Sequence, residues 1–374
     1  MTEPTSRFEL GPGALRAAYS SGAITPSDVV DEVYRRIEER GQDATWISLV
    51  AHRTARARAD ALDLARLADL PLFGVPFSVK DNIDVQGMET TAACPEFAYL
   101  SKDTARAVAL LEQAGAILIG KTNLDQFATG LSGARSPFGI VASVPDPSLI
   151  SGGSSSGAAV SVAAGLVGFA IGTDTAGSGR VPAALNGIVG VKPSIGLVSA
   201  AGVLPACESL DCVSVFAPTV ADGSLVLATI AGFDPVDPVS RPLARPPARP
   251  SRVRPGGLRL GVPETVGDWG DRGEHGAWHA LLELLKDSGV DLVPFDPAPL
   301  LEAGQLLYGG PWVAERMASV GDFVRSRPGA VHPVTLQVLE PAVEVTGEDV
   351  YRGGAHLRRL RRSVEQVLAQ VDAL

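Results

Sequence analysis

Three short apolar runs, almost free of charge, alternate with helix-forming stretches in the middle of this chain. They are "LFGVPFSVKDN" at 72–82, "AILIGKTN" at 116–123 and "GFAIGTD" at 168–174; between them lie "TARAVALLEQAG" and "SSGAAVSVAAG". A strand apolar on both faces must be covered on both faces. Helices between such strands supply that cover and force a parallel crossover. The pattern therefore predicts an α/β fold: a mixed, largely parallel central sheet flanked by helices. In such sheets ligands gather where strands end. Lys80, Asn123 and Asp174 stand at those ends.

The flanks read differently. "TPSDVVDEVYRRIEERG" starts as a helix should: Thr25 fits the N-cap, Pro26 the first turn, and Asp28 the positive end of the dipole. Val29, Val30, Val33 and Ile37 form one apolar stripe, and Gly41 ends it. Ala51 to Leu67 predicts a second helix, so residues 1–65 are expected to form an N-terminal helical layer. Residues 66–233 are the expected core. Residues 234–257, rich in Pro and Arg, predict an exposed connection without regular ladders. Residues 258–374 restart a strand at "LRLGVP" and then read as mostly helical.

Composition excludes several partners. The net charge is −10 and there is no basic tract, which disfavours nucleic acid and anionic membranes. A small anionic ligand would need a local arginine or backbone N–H groups. Three scattered cysteines, Cys94, Cys207 and Cys212, fit a reducing cytoplasm and form no zinc-binding pattern. His275 and His279 share i,i+4 spacing but read as surface histidines. The first ten residues lack a secretory pattern. The uncharged run Ser148–Thr173 has too short an apolar part to span a bilayer.

"GAILIGKT", at 115–122, formally matches the phosphate-binding loop G-x-x-x-x-G-K-T. That loop needs exposed backbone between its glycines, whereas here the intervening residues are the strand itself. No cradle of N–H groups is expected, and an NTPase is rejected.

The chemistry concentrates in "SGGSSSGAAVSVAAGLVGFAIGTDTAGSGR", Ser151–Arg180. Its glycines let backbone approach a ligand and expose N–H groups, as an oxyanion site requires. A nucleophilic serine needs a base, and no histidine is near. A buried lysine that loses its charge can serve. Lys80, ending an apolar strand, is the candidate base, with Ser154 relaying the proton of Ser178. Spacing alone leaves a second reading open: Gly/Ser-rich turns and a surface lysine.

"GVPFSVKDN", "GAILIGKTNLDQF", "GGSSSG" and "GTDTAGSGRVPAALNGIVGVKPS" together closely resemble the amidase signature family, most specifically over 72–194. The resemblance implies a Ser–Ser–Lys triad with Lys80 as base, Ser154 as bridge and Ser178 as acyl-forming nucleophile. It also implies an oxyanion hole from the N–H groups of Thr175, Ala176, Gly177 and Ser178, and no metal or cofactor. Asp174, Arg180, Asn123 and Asp125 are expected to brace loops, and Cys207 and Cys212 to pack.

"PACESLDCVSVFA" keeps Ser209-Leu210-Asp211 but then departs from general amidases. With "TTAACPEFAY" and "LYGGPWVAER" it resembles the allophanate-hydrolysing branch of the family. That implies cleavage of allophanate, releasing ammonia, downstream of an ATP- and biotin-dependent urea carboxylase. Tyr308 and Arg316 would then contact the substrate carboxylate, with Gly133 near the substrate. The alternative reading of Arg316 is a helical arginine paired with Glu315. The alternative substrate is another small amide, such as biuret or a carboxybiuret. The family commonly dimerises. It also carries a core strand, helices and a further domain beyond the point matching Leu374, so this chain is expected to be incomplete there.

Overall fold

The computed structural model describes residues 8–242, 256–267 and 273–374. The chain divides into two compact units, Met1–Pro250 with Glu315–Glu340, and Ser251–Ala314 with Pro341–Leu374.

The first unit is built on a six-stranded sheet. Its strands are β1 (Trp46–Leu49), β2 (Pro76–Lys80), β5 (Ile117–Thr122), β6 (Phe169–Asp174), β7 (Val189–Val191) and β8 (Cys212–Ala217), ordered β1-β5-β2-β6-β8-β7. A separate two-residue pair, β3 (Glu89–Thr90) and β4 (Tyr99–Leu100), lies between β2 and β5 in sequence. β2 runs parallel to both β5 and β6; β1 and β8 run antiparallel to their neighbours, and β7 is antiparallel to β8. Four of the six strands thus share one direction. The three predicted apolar runs are the three central strands, buried along their whole length.

Helices cover the sheet: α1 (Pro12–Ser20), α2 (Pro26–Arg40), α3 (His52–Asp60), α4 (Arg106–Gln113), α5 (Ser156–Ala163), α6 (Arg180–Leu185) and α7 (Val220–Ile230). Thr25 and Asp28 form a reciprocal capping box at the start of α2, and Val29, Val30 and Val33 are buried in the main core. Phe77 and Phe169, paired in register on β2 and β6, stack with ring centroids 5.3 Å apart.

Three expectations change. The first 65 residues are not all helical, because Trp46–Leu49 joins the sheet edge as β1, paired with β5. Four residues leave too little periodicity to separate a strand from a helix end. The predicted helix at Ala51–Leu67 stops at Asp60, and a 3-10 turn follows at Leu64–Arg66, capped by Asp63 onto the Ala65 N–H at 2.9 Å. The described start of the Pro-rich connection, expected to be exposed, has two buried anchors. Asp234 and Asp237 are buried and accept hydrogen bonds from Ser199 Oγ (2.7 Å) and the Ala200 N–H (2.8 Å). Residues 243–255 of that connection lie outside the described residues.

The second unit holds a parallel pair, β9 (Arg259–Pro263) and β10 (Asp291–Phe295), with α8 (Glu274–Asp287), α9 (Ala298–Gly309) and α12 (Gly347–Leu368). Gly353 of α12 is needed because a side chain there would meet Pro311 Cγ at 2.5 Å. The remaining helices are α10 (Trp312–Ser326), whose residues from Glu315 belong to the first unit, and α11 (Pro333–Leu339), also in the first unit. Among the described residues no helix is long and apolar enough to cross a membrane.

Candidate active site

Strand alternation sets the first position. Along β2, Phe77 and Val79 face one side, Ser78 and Lys80 the other. Ser78 Oγ shares a hydrogen bond with Ser161 Oγ of α5 at 2.8 Å, so Lys80 emerges on the face that α5 covers. Its side chain is completely buried. Lys80 Nζ contacts Ser154 Oγ at 2.8 Å and Thr173 Oγ1 at 2.7 Å. Burial is the largest influence on it and pulls its pKa down to about 7. The carboxylates of Asp125, Asp211 and Asp174 oppose that fall, and the Arg316 guanidinium adds to it.

Ser154 is held by a loop that only glycine can form. A Cβ at Gly153 would lie 2.3 Å from Asp125 Oδ2, and the Gly153–Ser154 peptide bond is cis. Asp125 is the organiser. Its N–H donates to Ser154 O at 3.0 Å, while its carboxylate accepts the N–H groups of Gly133 (3.0 Å) and Arg135 (2.9 Å). Gly133 has φ +74°, and a side chain there would strike Gly152 O at 2.6 Å. The loop 129–137 therefore packs directly on the loop carrying Ser154. Asn123 braces the same region by donating to Ala44 O and Gly139 O.

Ser178 lies on the loop that follows β6. Asp174 ties that loop, accepting from the N–H groups of Gly177 (2.7 Å) and Gly179 (3.1 Å) and from Arg180 Nε (2.9 Å). Burial pushes Asp174 up, but the guanidinium and the amide donors outweigh it and hold the carboxyl below its ordinary value. Bracing by Asp174 and Arg180 matches the expectation. The Gly177 N–H, expected in the oxyanion hole, donates here to Asp174. No partner is found among the described residues for the N–H groups of Thr175, Ala176 and Ser178. Ser178 is nearly buried, and its hydroxyl makes no hydrogen bond among the described residues. The structure thus brings Lys80 to Ser154 but does not join Ser154 to Ser178 by a hydrogen bond.

Arg316, on α10 within the first unit, is buried and donates through Nη1 to Thr129 Oγ1 at 3.1 Å. Glu315 does not take it; that carboxylate accepts the N–H and the hydroxyl of Ser209. Tyr308 lies in α9 of the second unit. Lys121 of the rejected phosphate-loop match is fully buried in β5, bound to Asp81 at 3.0 Å and to Glu89 O and Thr90 Oγ1 at 2.8 Å each. The three cysteines are buried and form no disulfide among the described residues, and burial pushes the thiols of Cys94 and Cys207 up to about 11 and about 12.

Two contributors went unassigned in the sequence. Thr173 gives Lys80 its second hydroxyl contact; its signal was a polar residue near the end of an otherwise apolar buried strand. Asp211, nearly buried, accepts from Thr175 Oγ1 and from the N–H groups of Ala206 (2.8 Å) and Cys207 (3.2 Å). Its signal was the Ser-Leu-Asp segment, to which no role was attached.

Comparison with known proteins agrees along most of the chain. The family model described as Amidase matches residues 28–374. A urea amidolyase of Lachancea kluyveri is 43% identical over 337 residues, covering 89% of this chain and 18% of that protein. The solved Kluyveromyces lactis allophanate hydrolase superposes with a TM-score of 0.86 at 36% identity, covering 96% of this chain and 59% of that one. The K. lactis urea amidolyase gives 0.88 at 36% identity, covering 98% and 22%. This chain therefore spans less than a fifth of the first of these relatives.

Proposed function

We propose, on the premise that this chain belongs to the amidase signature family, that it hydrolyses allophanate and releases ammonia through an acyl-enzyme on Ser178. The observation that carries the reading is the completely buried Lys80 amine, 2.8 Å from Ser154 Oγ with its pKa pulled down to about 7. An amine that is half neutral at that pH can accept a proton without a histidine.

In this reading neutral Lys80 takes the proton of Ser154 as Ser154 takes that of Ser178. The Ser178 oxygen attacks the terminal amide carbon. The Ser154–Ser178 link closes with substrate in place, as catalytic hydrogen bonds commonly tighten on binding. The N–H groups of Thr175, Ala176 and Ser178 hold the oxyanion. The proton returns to the leaving nitrogen and ammonia departs. Water repeats the path, releasing N-carboxycarbamate and regenerating the serine.

Arg316 receives the carboxylate of allophanate, with Gly133, in the same unit, leaving room beside the loop. A buried guanidinium is the local attraction that a chain of net charge −10 otherwise lacks. The similarity to urea amidolyases supports a place after a urea-carboxylating step, and the reading keeps the chain in the cytoplasm.

The test is ammonia release from allophanate by the purified chain, against biuret and malonamate. Ser178→Ala should abolish turnover while leaving the circular dichroism unchanged; full activity in that variant would end the proposal. Arg316→Ala should raise KM for allophanate far more than for a neutral amide.

A further inference from the structure

Arg316 and the nucleophile loop come from distant parts of the sequence, yet two carboxylates connect them within the first unit. Glu315, beside Arg316, takes both donors of Ser209: the backbone N–H at 2.7 Å and the hydroxyl at 2.8 Å. Two residues on, Asp211 grips the hydroxyl of Thr175 and the N–H groups of Ala206 and Cys207, which close the same turn. Thr175 opens the loop that ends in Ser178. The path runs Arg316–Glu315, Ser209, Asp211, Thr175, Ser178, alternating covalent steps with charge-assisted hydrogen bonds.

We propose that Glu315 is a positioning residue. Through Ser209 and Asp211 it fixes the spacing between Arg316 and the nucleophile loop, and so selects short amides whose carboxylate lies at one set distance from the scissile carbon. The inference rests on the carboxylate-binding role of Arg316 in the reading above.

Geometry and charge predict opposite signs here, which makes the inference decidable. Glu315 is an anion next to the residue that receives an anion. If it acted only by its charge, removing it would tighten allophanate binding. If it acts by holding Arg316 in place, removing it loosens binding of the anion and leaves a neutral amide alone. The Ser209 end is exposed, so the bonds add little to stability and the effect must be sought in kinetics.

The experiment compares Glu315→Ala, Glu315→Gln and Arg316→Ala with the wild type, using allophanate and neutral biuret, the latter read as substrate or as competitive inhibitor. Glutamine lacks the charge but can still accept from the Ser209 N–H and meet its hydroxyl. Expected for Glu315→Ala is a KM for allophanate raised about tenfold, with the biuret constant within about twofold. Glu315→Gln should stay within about threefold of wild type for both. An unchanged or lowered KM for allophanate in Glu315→Ala, or equal losses for both ligands, overturns the brace. So does Gln behaving as Ala. If Arg316→Ala leaves the preference for allophanate over biuret intact, the carboxylate reading falls and takes the brace with it. If Arg316→Ala erases the preference while Glu315→Ala behaves as wild type, only the brace is lost.

Discussion

Lys80 and Lys121 are the same residue on adjacent parallel strands, one register step apart, and both are fully buried. Their surroundings differ above all in the contacting charge. Lys121 has a carboxylate in contact, Asp81 at 3.0 Å, whereas Lys80 touches two hydroxyls, Ser154 and Thr173, with Asp125, Asp174 and Asp211 acting from farther off. Burial pushes both amines below the ordinary lysine value; the contact carboxylate opposes that for Lys121. A buried ammonium with a contact counter-ion is a structural cation. A buried amine with only hydroxyl partners can lose its proton near neutrality and remain hydrogen-bonded. Burial alone does not make a lysine a base; the chemistry of its nearest partner decides.

The comparison breaks most visibly under substitution. Lys80→Met should lower kcat by about a thousandfold or more, since in the proposed reading the base is lost, while the variant keeps its native circular dichroism. A variant retaining a tenth of the activity would remove Lys80 from the mechanism. Lys121→Met should do the reverse. It strands Asp81 without a counter-ion in the core and should cost about 3–5 kcal/mol of stability. An unchanged denaturation midpoint would show that the pair is not an ion pair.

Two pH measurements sharpen the difference. The folded pKa of Lys80 is about 7 and its ordinary value 10.5. Between those values the unfolded chain binds more protons at this site, so stability rises with pH across that window. The slope approaches about 1.4 kcal/mol per unit, read as wild type minus Lys80→Met. Below pH 7 the penalty is full, and above 10.5 it is gone. For the same reason kcat/KM should fall about tenfold per unit below pH 7 and level off above it. The smallest effect expected is at Thr173. A hydroxyl accepting from the ammonium stabilises it, so Thr173→Val should move the acid limb down by about one unit, and Thr173→Ser should leave it in place. A limb that does not move in Thr173→Val would make that contact incidental.

Legibility varied with the range of the interaction. The central strands, the α2 cap and the ends at which Lys80 and Asp174 stand were readable because period, capping residues and apolar runs act over a few neighbours. β1 escaped because four residues at a sheet edge carry little pattern. The Asp174 contact of the Gly177 N–H was not readable because the sequence does not say that Asp174 folds back onto its own loop. The connection at 234–242 read as exposed because nothing local shows that Asp234 and Asp237 are held by Ser199 and Ala200.

The sequence by itself determined the fold class, the family and which serines and lysine to watch, because apolar periodicity and motif spacing are properties of contiguous residues. Only the tertiary structure decided which of two buried lysines is left without a contact carboxylate, that the Gly177 N–H is taken by Asp174, and that Glu315 binds Ser209 rather than Arg316. Each of those depends on residues tens to hundreds of positions apart meeting within hydrogen-bond distance. Proton affinity and donor availability are set by such contacts, and folding alone creates them.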